Sequence, residues 1–172
     1  YHAQYGFPVV FCRFANFYGP GQQLYRIVPR TIIYALTGQK LQLHGGGTST
    51  RAFIHGQDVA NGIFASLELG EPGEIYHFSP ERFFTIRAIV ELICERMNID
   101  FFNFVEIVPD RPGKDQAYLM DSSRARQELG WLDRIPFEEG VDQTIEWVKA
   151  NLEVLPGFQE PVMLQYSQGS RL

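Results

Sequence analysis

Gly45-Gly46-Gly47-Thr48-Ser49-Thr50-Arg51-Ala52-Phe53-Ile54-His55-Gly56-Gln57-Asp58-Val59-Ala60 reads as a turn, a strand and the start of a helix in one run. The glycines force the backbone to turn. Residues 51–55 form a short β-like run behind them. Asp58 is placed to cap a helix over 59–67 that carries Val59, Ile63, Phe64 and Leu67 on one side. Strands and helices that alternate in this way define an α/β chain. The glycine run is not a phosphate loop, because no Lys-Ser/Thr pair follows it and no long helix opens behind it to receive an anion.

Working outward, residues 7–14 are an apolar, β-rich run that suits a buried parallel strand. Residues 16–23 read as loop, since Tyr18-Gly19-Pro20-Gly21 stops regular structure. Residues 27–36 have helical spacing, with Pro29 tolerable in the first turn and Gly38 as the stop. Leu41 and Leu43 alternate with Gln42 and His44 in a short strand. Further along, Ile75-Tyr76-His77-Phe78 reads as a strand, and Thr85 caps a helix over 86–97 with Ile89, Val90, Ile93 and Cys94 as its apolar stripe. A shorter helix follows Ser122-Ser123 and ends at Leu129-Gly130-Trp131. Residues 137–152 form the last amphipathic helix, and residues 156–172 read as an irregular extension. Tyr1-His2-Ala3-Gln4-Tyr5-Gly6 resembles the last turn of a helix, so the chain reads as starting inside an element, as a fragment would.

The composition, 45% hydrophobic and 20% charged over 172 residues, is that of an ordinary globular protein. Fourteen Phe and eight Tyr supply more aromatic surface than one small core demands, which suits contact with another domain or subunit. The formal charge of -5 has the wrong sign for a nucleic-acid or anionic-membrane binder, so basic residues can act only locally, on one small anion. Cys12 and Cys94 lack metal-ligand spacing and read as reduced thiols. His2, His44, His55 and His77 are scattered and pair with no nucleophile or metal partner in sequence. With no run of apolar residues long enough to span a bilayer, the chain reads as soluble and cytoplasmic.

Several separated segments, taken in order, resemble the extended short-chain dehydrogenase/reductase family of NAD-dependent epimerases and dehydratases. Arg13-Phe14-Ala15-Asn16-Phe17-Tyr18-Gly19-Pro20 is similar to its Arg-x-x-Asn-x-Tyr-Gly-Pro segment. The 45–60 run resembles its Gly-Asp-Gly-x-x-x-Arg-Asp segment, and Gly73-Glu74-Ile75-Tyr76-His77-Phe78 resembles a family strand. Asp110-Arg111-Pro112-Gly113-Lys114-Asp115, then Asp121-Ser122-Ser123-Arg124 and Leu129-Gly130-Trp131, most resemble the 4,6-dehydratases that act on dTDP-glucose.

The resemblance covers about residues 1–152. It implies an α/β fold: the C-terminal portion of a Rossmann-type (extended SDR) fold with a small α/β substrate-binding domain. Residues 1–20 would end the NAD-binding domain. Residues 21–152 would form mainly the nucleotide-sugar-binding domain with returning Rossmann elements, and 153–172 the extension. It implies NAD as cofactor, a nucleotide-diphosphate sugar as ligand and a homodimer when intact. The Gly-rich NAD loop and the catalytic Tyr-x-x-x-Lys would lie before residue 1, leaving no catalytic residue in this chain.

Arg51 and Arg111 are the expected diphosphate and ribose contacts, because a guanidinium fork stays charged and can give two hydrogen bonds to one phosphate. Asn16 can donate and accept beside a sugar or diphosphate. Arg26, with Ile27 beside it, falls where the family places a phosphate-binding base, and Thr85 matches a polar position that touches the nucleotide. Phe17 is the expected cofactor contact. Gln42 and His44 stand where thymidine-selective enzymes present Pro and Tyr, Lys114 stands where they have His, and Ala52 replaces an Asp. Another base or sugar therefore stays open, as do a 4-epimerase, a UDP-glucuronate decarboxylase or a non-catalytic nucleotide-sugar-binding module.

Overall fold

The computed structural model describes residues 1–110, 113 and 115–155. The chain opens with a single helical turn, α1 (His2–Tyr5), closed by Gly6 in the left-handed region at φ 62. Strand β1 (Phe11–Phe14) pairs in parallel with β5 (Ile75–Phe78), Phe11 opposite Ile75. Helix α3 (Gly56–Leu69) lies on this pair, and α6 (Ser123–Leu129) packs against β5. Tyr76, Phe78, Ala125, Leu129 and Trp131 form the core between them.

The second unit is organised by one strand, β4 (Thr50–His55). Its last residues pair in parallel with β2 (Asn16–Tyr18), Asn16 opposite Phe53. Its first residues pair antiparallel with β6 (Phe83–Thr85) and parallel with β8 (Ala117–Tyr118). Helices α2 (Ile27–Thr37), α4 (Ile86–Arg96) and α7 (Phe137–Asn151) cover this sheet around Val28, Ile32, Ile89, Ile93, Val141 and Ile145. A small outer sheet joins β3 (Leu41–His44) to β7 (Val105–Val108), with α5 (Phe101–Phe104) ahead of it. Leu41 and Leu43 turn inward onto Val90 and Cys94 of α4.

Thr85 caps α4 as expected, its hydroxyl accepting from the Ala88 N–H at 3.1 Å. Several other expectations are corrected. Residues 16–18 are strand rather than loop, because the turn begins only at Gly19 and the backbone before it is claimed by β4. The 7–14 run is not wholly buried. Phe11 is 52% exposed, since β1 pairs only with β5 among the described residues and the Phe11 and Ile75 side chains stay uncovered.

The expected inward stripe of α3 is largely turned outward: Val59 packs on the core, but Ile63, Phe64 and Leu67 are exposed, while Asp58, Gly62 and Ser66 face in. Close packing requires small residues there. A Cβ on Gly62 would sit 2.8 Å from the Phe78 ring, so only glycine lets the helix settle on β5.

Asp58 is not the helix cap. His55 takes that role, its Nδ1 accepting from Gln57 N–H at 3.2 Å. Asp58, only 1% exposed, instead accepts from the backbone N–H of Arg134 at 3.0 Å and of Ile135 at 3.1 Å. Trp131 Nε1 donates to the Asp58 carbonyl at 3.0 Å. One buried residue thus ties the β4–α3 junction to the segment that leads into α7. Asp58→Ala would remove the acceptor of both part-buried N–H groups, a loss of roughly 1–3 kcal/mol. Urea unfolding of this variant and of Asp58→Asn, which retains one acceptor, is expected to rank wild type above Asn above Ala.

Candidate functional site

Strand β2 ends in Tyr18-Gly19-Pro20-Gly21-Gln22. Gln22 N–H donates to Gly19 O at 3.2 Å, and Gly21 takes φ 79, the positive value that a type II turn needs at its third residue. The chain therefore doubles back and enters α2 at Arg26, which stands at the helix N-cap with extended backbone and no side-chain cap. Strand, turn and helix enclose a cleft of about 750 Å³. Asn16, Gln22, Tyr25, Arg26 and Arg30 give its wall a polar and cationic character, and Phe17 adds an aromatic face. Phe14, Ile27, Phe53, Val59, Ile63 and Ile86 supply apolar surface.

The geometry assigns a task to several of these groups. Asn16 Nδ2 donates to Ala52 O at 3.3 Å across the β2–β4 pairing, so its amide nitrogen is turned to the strand and its oxygen is the acceptor it can offer. Phe17 stays 45% exposed at the cleft. The Arg26 guanidinium lies 5.3 Å from the Tyr25 ring centre, which steadies the cation without neutralising it. Ile27 and Ile86 line the cleft while packing into the cores on either side, so the cleft floor is continuous with the folded interior.

Four of the expected contacts, Asn16, Phe17, Arg26 and Ile27, thus meet in one cleft. Arg51 does not line it. Its guanidinium donates to Thr50 O at 2.7 Å and to Asp115 O at 2.6 Å, fastening the start of β8 to β4, and Thr85 stands opposite Thr50 on the neighbouring strand. Gln42 and His44 lie apart, on the outer sheet. Gln42 Nε2 reaches Glu106 at 3.4 Å, and His44 Nδ1 lies 3.2 Å from Pro109 O. Arg111 and Lys114 fall outside the described residues.

Gln22, Tyr25 and Arg30 were not legible as site residues. Arg30 carried a usable signal, since it follows Arg26 by one helical turn and shares its face. Gln22 carried none, because only the turn places it. Among the described residues, no cluster of three or more His, Cys, Asp or Glu could hold a metal ion, and no helix is long and apolar enough to cross a membrane.

Behind the cleft, Tyr18 is buried and donates from its hydroxyl to Phe137 O at 3.1 Å. Burial, reinforced by the Asp58 charge, pushes its phenol far above the ordinary range, so it acts as a fixed neutral donor. The His55 ring stands edge-on to it at 5.5 Å, only 7% exposed. Burial lowers the His55 pKa below 6.5, against the opposing pull of Asp58 and Glu139. The unfolded chain therefore takes up this proton more readily. The stability that His55 contributes is complete above about pH 6.5 and declines as pH falls below it. His55→Asn keeps a capping acceptor but cannot titrate. Between pH 7.5 and 5.5, denaturant midpoints are expected to fall further for wild type than for this variant, and equal falls would contradict the assignment.

Parallel strands with helical crossovers and a cleft at the strand ends make a Rossmann-type α/β fold, and the likeness to known sequences and solved structures gives its class, the NAD-dependent epimerases and dehydratases of the extended short-chain dehydrogenase/reductase type. Within that class, the chain belongs to the GDP-mannose 4,6-dehydratase family, whose model matches residues 1–144. It is 35% identical over 156 residues to the dTDP-D-glucose 4,6-dehydratase of Homo sapiens, covering 88% of this chain and 44% of that protein. Its structure is similar to DesIV, a dTDP-glucose 4,6-dehydratase from Streptomyces venezuelae solved with NAD bound. That match has a TM-score of 0.86 and 32% identity, over 90% of this chain and 48% of the other. A UDP-glucose 4-epimerase from Thermotoga maritima, solved with UDP-glucose, matches with a TM-score of 0.82 and 26% identity, over 88% of this chain and 49% of that one. The chain spans about half the length of these relatives.

Proposed function

We propose that this chain is the substrate-binding part of an NAD-dependent nucleotide-sugar 4,6-dehydratase. The observation that carries the reading is the meeting of Asn16, Phe17 and Arg26 in one cleft with an apolar floor. A nucleotide-sugar has a diphosphate to be held by charge, hydroxyls to be paired and flat rings to be covered, and the cleft offers a group for each. Arg26 holds a phosphate. Asn16 accepts from a sugar hydroxyl. Arg51 and Thr85, one strand over from the cleft, are assigned with Arg111 and Lys114 to the rest of the nucleotide by the family resemblance alone. Gln42 and His44, on the outer sheet and apart from the cleft, are assigned to the base by the family resemblance alone, and their departure from Pro and Tyr leaves uracil as open a choice as thymine.

The half-exposed ring of Phe17 offers a flat face for contact with the cofactor. When bound, NAD would supply the hydride chemistry that a 4,6-dehydration needs, oxidation at sugar C4 and reduction at C6 around the loss of water across C5 and C6. The task of this chain is orientation, which in favourable systems contributes roughly 7–11 kcal/mol of barrier reduction. The reading takes residues 1–20 and the core around Phe78 and Trp131 as part of the NAD-binding half, residues 21–152 mainly as the substrate domain and 153–172 as an extension. It also takes the whole protein as a cytoplasmic homodimer. The exposed side chains of Phe11, Phe64 and Leu67 supply apolar surface suited to such further contacts.

A 4-epimerase is the second reading, supported by the likeness to the Thermotoga maritima enzyme. Products separate the two: with NAD present, the full-length gene product is expected to release a sugar nucleotide lighter by one water, whereas an epimerase conserves mass. In calorimetric titration with dTDP-, UDP-, CDP- and GDP-glucose, Arg26→Ala and Arg51→Ala are each expected to weaken the preferred ligand by about tenfold or more. Unchanged affinity in both variants would remove the proposed grip.

A further inference from the structure

Arg26 differs from Arg51, Arg124 and Arg126 in what holds it. Arg124 is paired with Glu74 and Glu128, Arg126 with Asp133, and Arg51 gives two donors to backbone carbonyls. Arg26 has neither an ion pair nor a side-chain hydrogen bond among the described residues, and its guanidinium lies over the Tyr25 ring, 5.3 Å from the centre. The turn that joins Arg26 N–H to Gln23 O at 3.1 Å also places the ring, since the Tyr25 hydroxyl donates to Gln23 Oε1 at 3.3 Å. Ring and cation both line the cleft. A carboxylate would steady the cation too, but it would take up the N–H groups that a phosphate needs. An aromatic face attracts the cation and takes up none of those donors.

We propose that Tyr25 is a positioning residue whose ring holds the Arg26 guanidinium ready for the diphosphate, and that it acts through Arg26 rather than by touching the ligand. This rests on the reading of the cleft given above. An exposed arginine at a helix start samples many rotamers and loses that freedom when it closes on a phosphate. A ring already beside it restricts the rotamers before the ligand arrives, so less freedom is lost on binding. Two consequences separate this role from others that an aromatic residue at a cleft could have. The work is done by the ring face and not by the hydroxyl, so Phe should serve as well as Tyr. It also vanishes when Arg26 is absent, whereas a ring stacked on the ligand would keep its effect.

The test is a double-mutant cycle on the full-length protein with NAD supplied. Dissociation constants for UDP-glucose, or for dTDP-glucose should that bind more tightly, are measured on wild type, Tyr25→Phe, Tyr25→Leu, Arg26→Ala and the double variant Tyr25→Leu/Arg26→Ala. Tyr25→Phe is expected to keep wild-type affinity. Tyr25→Leu is expected to bind about 2- to 5-fold more weakly, the worth of an exposed cation–ring contact, and to cost nothing further once Arg26 is Ala. An undiminished loss from Tyr25→Leu in the Arg26→Ala background would place the ring on the ligand and overturn the positioning role. Wild-type affinity in Tyr25→Leu, or an equal loss in Phe and Leu, would overturn it as well. Failure of wild type to bind either sugar nucleotide would instead overturn the reading of the cleft. Thermal unfolding of Tyr25→Leu serves as the control, with little change expected, because Tyr25 is 48% exposed and lies outside the buried cores.

Discussion

The pairing of β4 on both its edges is the constraint on which the rest of the structure depends. Phe53, Ile54 and His55 hold β2 in parallel register, and this sets where Asn16 and Phe17 stand and where the turn toward α2 begins. Thr50 and Arg51 hold β6 and β8, which positions Thr85 and the segment entering at Asp115. A register slip of one residue would turn Phe53 out of the core and carry Asn16 away from the cleft wall. The strand then runs without a break into α3. Asp58, in the first turn of that helix, draws in Arg134 and Ile135 and so brings α7 against Tyr18 and Phe53. Cleft and core therefore share one scaffold, and the residues that would meet a ligand are placed by backbone pairing rather than by flexible loops.

The electrostatics follow the same division. Behind β2, Tyr18 and His55 are buried and held neutral, and both are engaged with backbone atoms of the scaffold. In front of it, Arg26 and Arg30 face the cleft. A chain of net charge -5 thus presents a cationic wall at one place, consistent with a single anionic ligand rather than an extended polyanion.

How much of this was legible in the sequence depended on the length and periodicity of each element. Helices α2, α4 and α7 have apolar stripes at helical spacing and end signals such as Thr85 and Gly38, and all three stand where those signals put them. Strands β6, β7 and β8 did not show, because they are short, and β6 and β8 are edge pieces defined by the partner they join. Helix α3 misled for a different reason. Beyond Val59, its large apolar residues Ile63, Phe64 and Leu67 point outward and its small ones pack inward, so amphipathicity marked the face left exposed instead of the face in contact with Phe78. His55 was passed over as a cap because imidazole is not among the usual capping groups, whereas Asp58 is chemically suited to capping but was recruited to a longer-range task. At the cleft, the motifs pointed to Asn16, Phe17, Arg26 and Ile27, which the fold brings together. They could not find Gln22, whose place depends on where a turn folds its amide, nor show that Arg51 spends two of its donors on backbone carbonyls.

Hydrogen–deuterium exchange on the full-length protein with NAD, with and without a saturating nucleotide-sugar, tests the central claim most directly, because it reports where the ligand sits without assuming which residue matters. The account predicts slowed exchange across residues 16–30 and 50–55, the two sides of the strand pairing that builds the cleft. Protection confined to the separate groove lined by Pro80, Asp121 and Arg126, with no change in those segments, would contradict it.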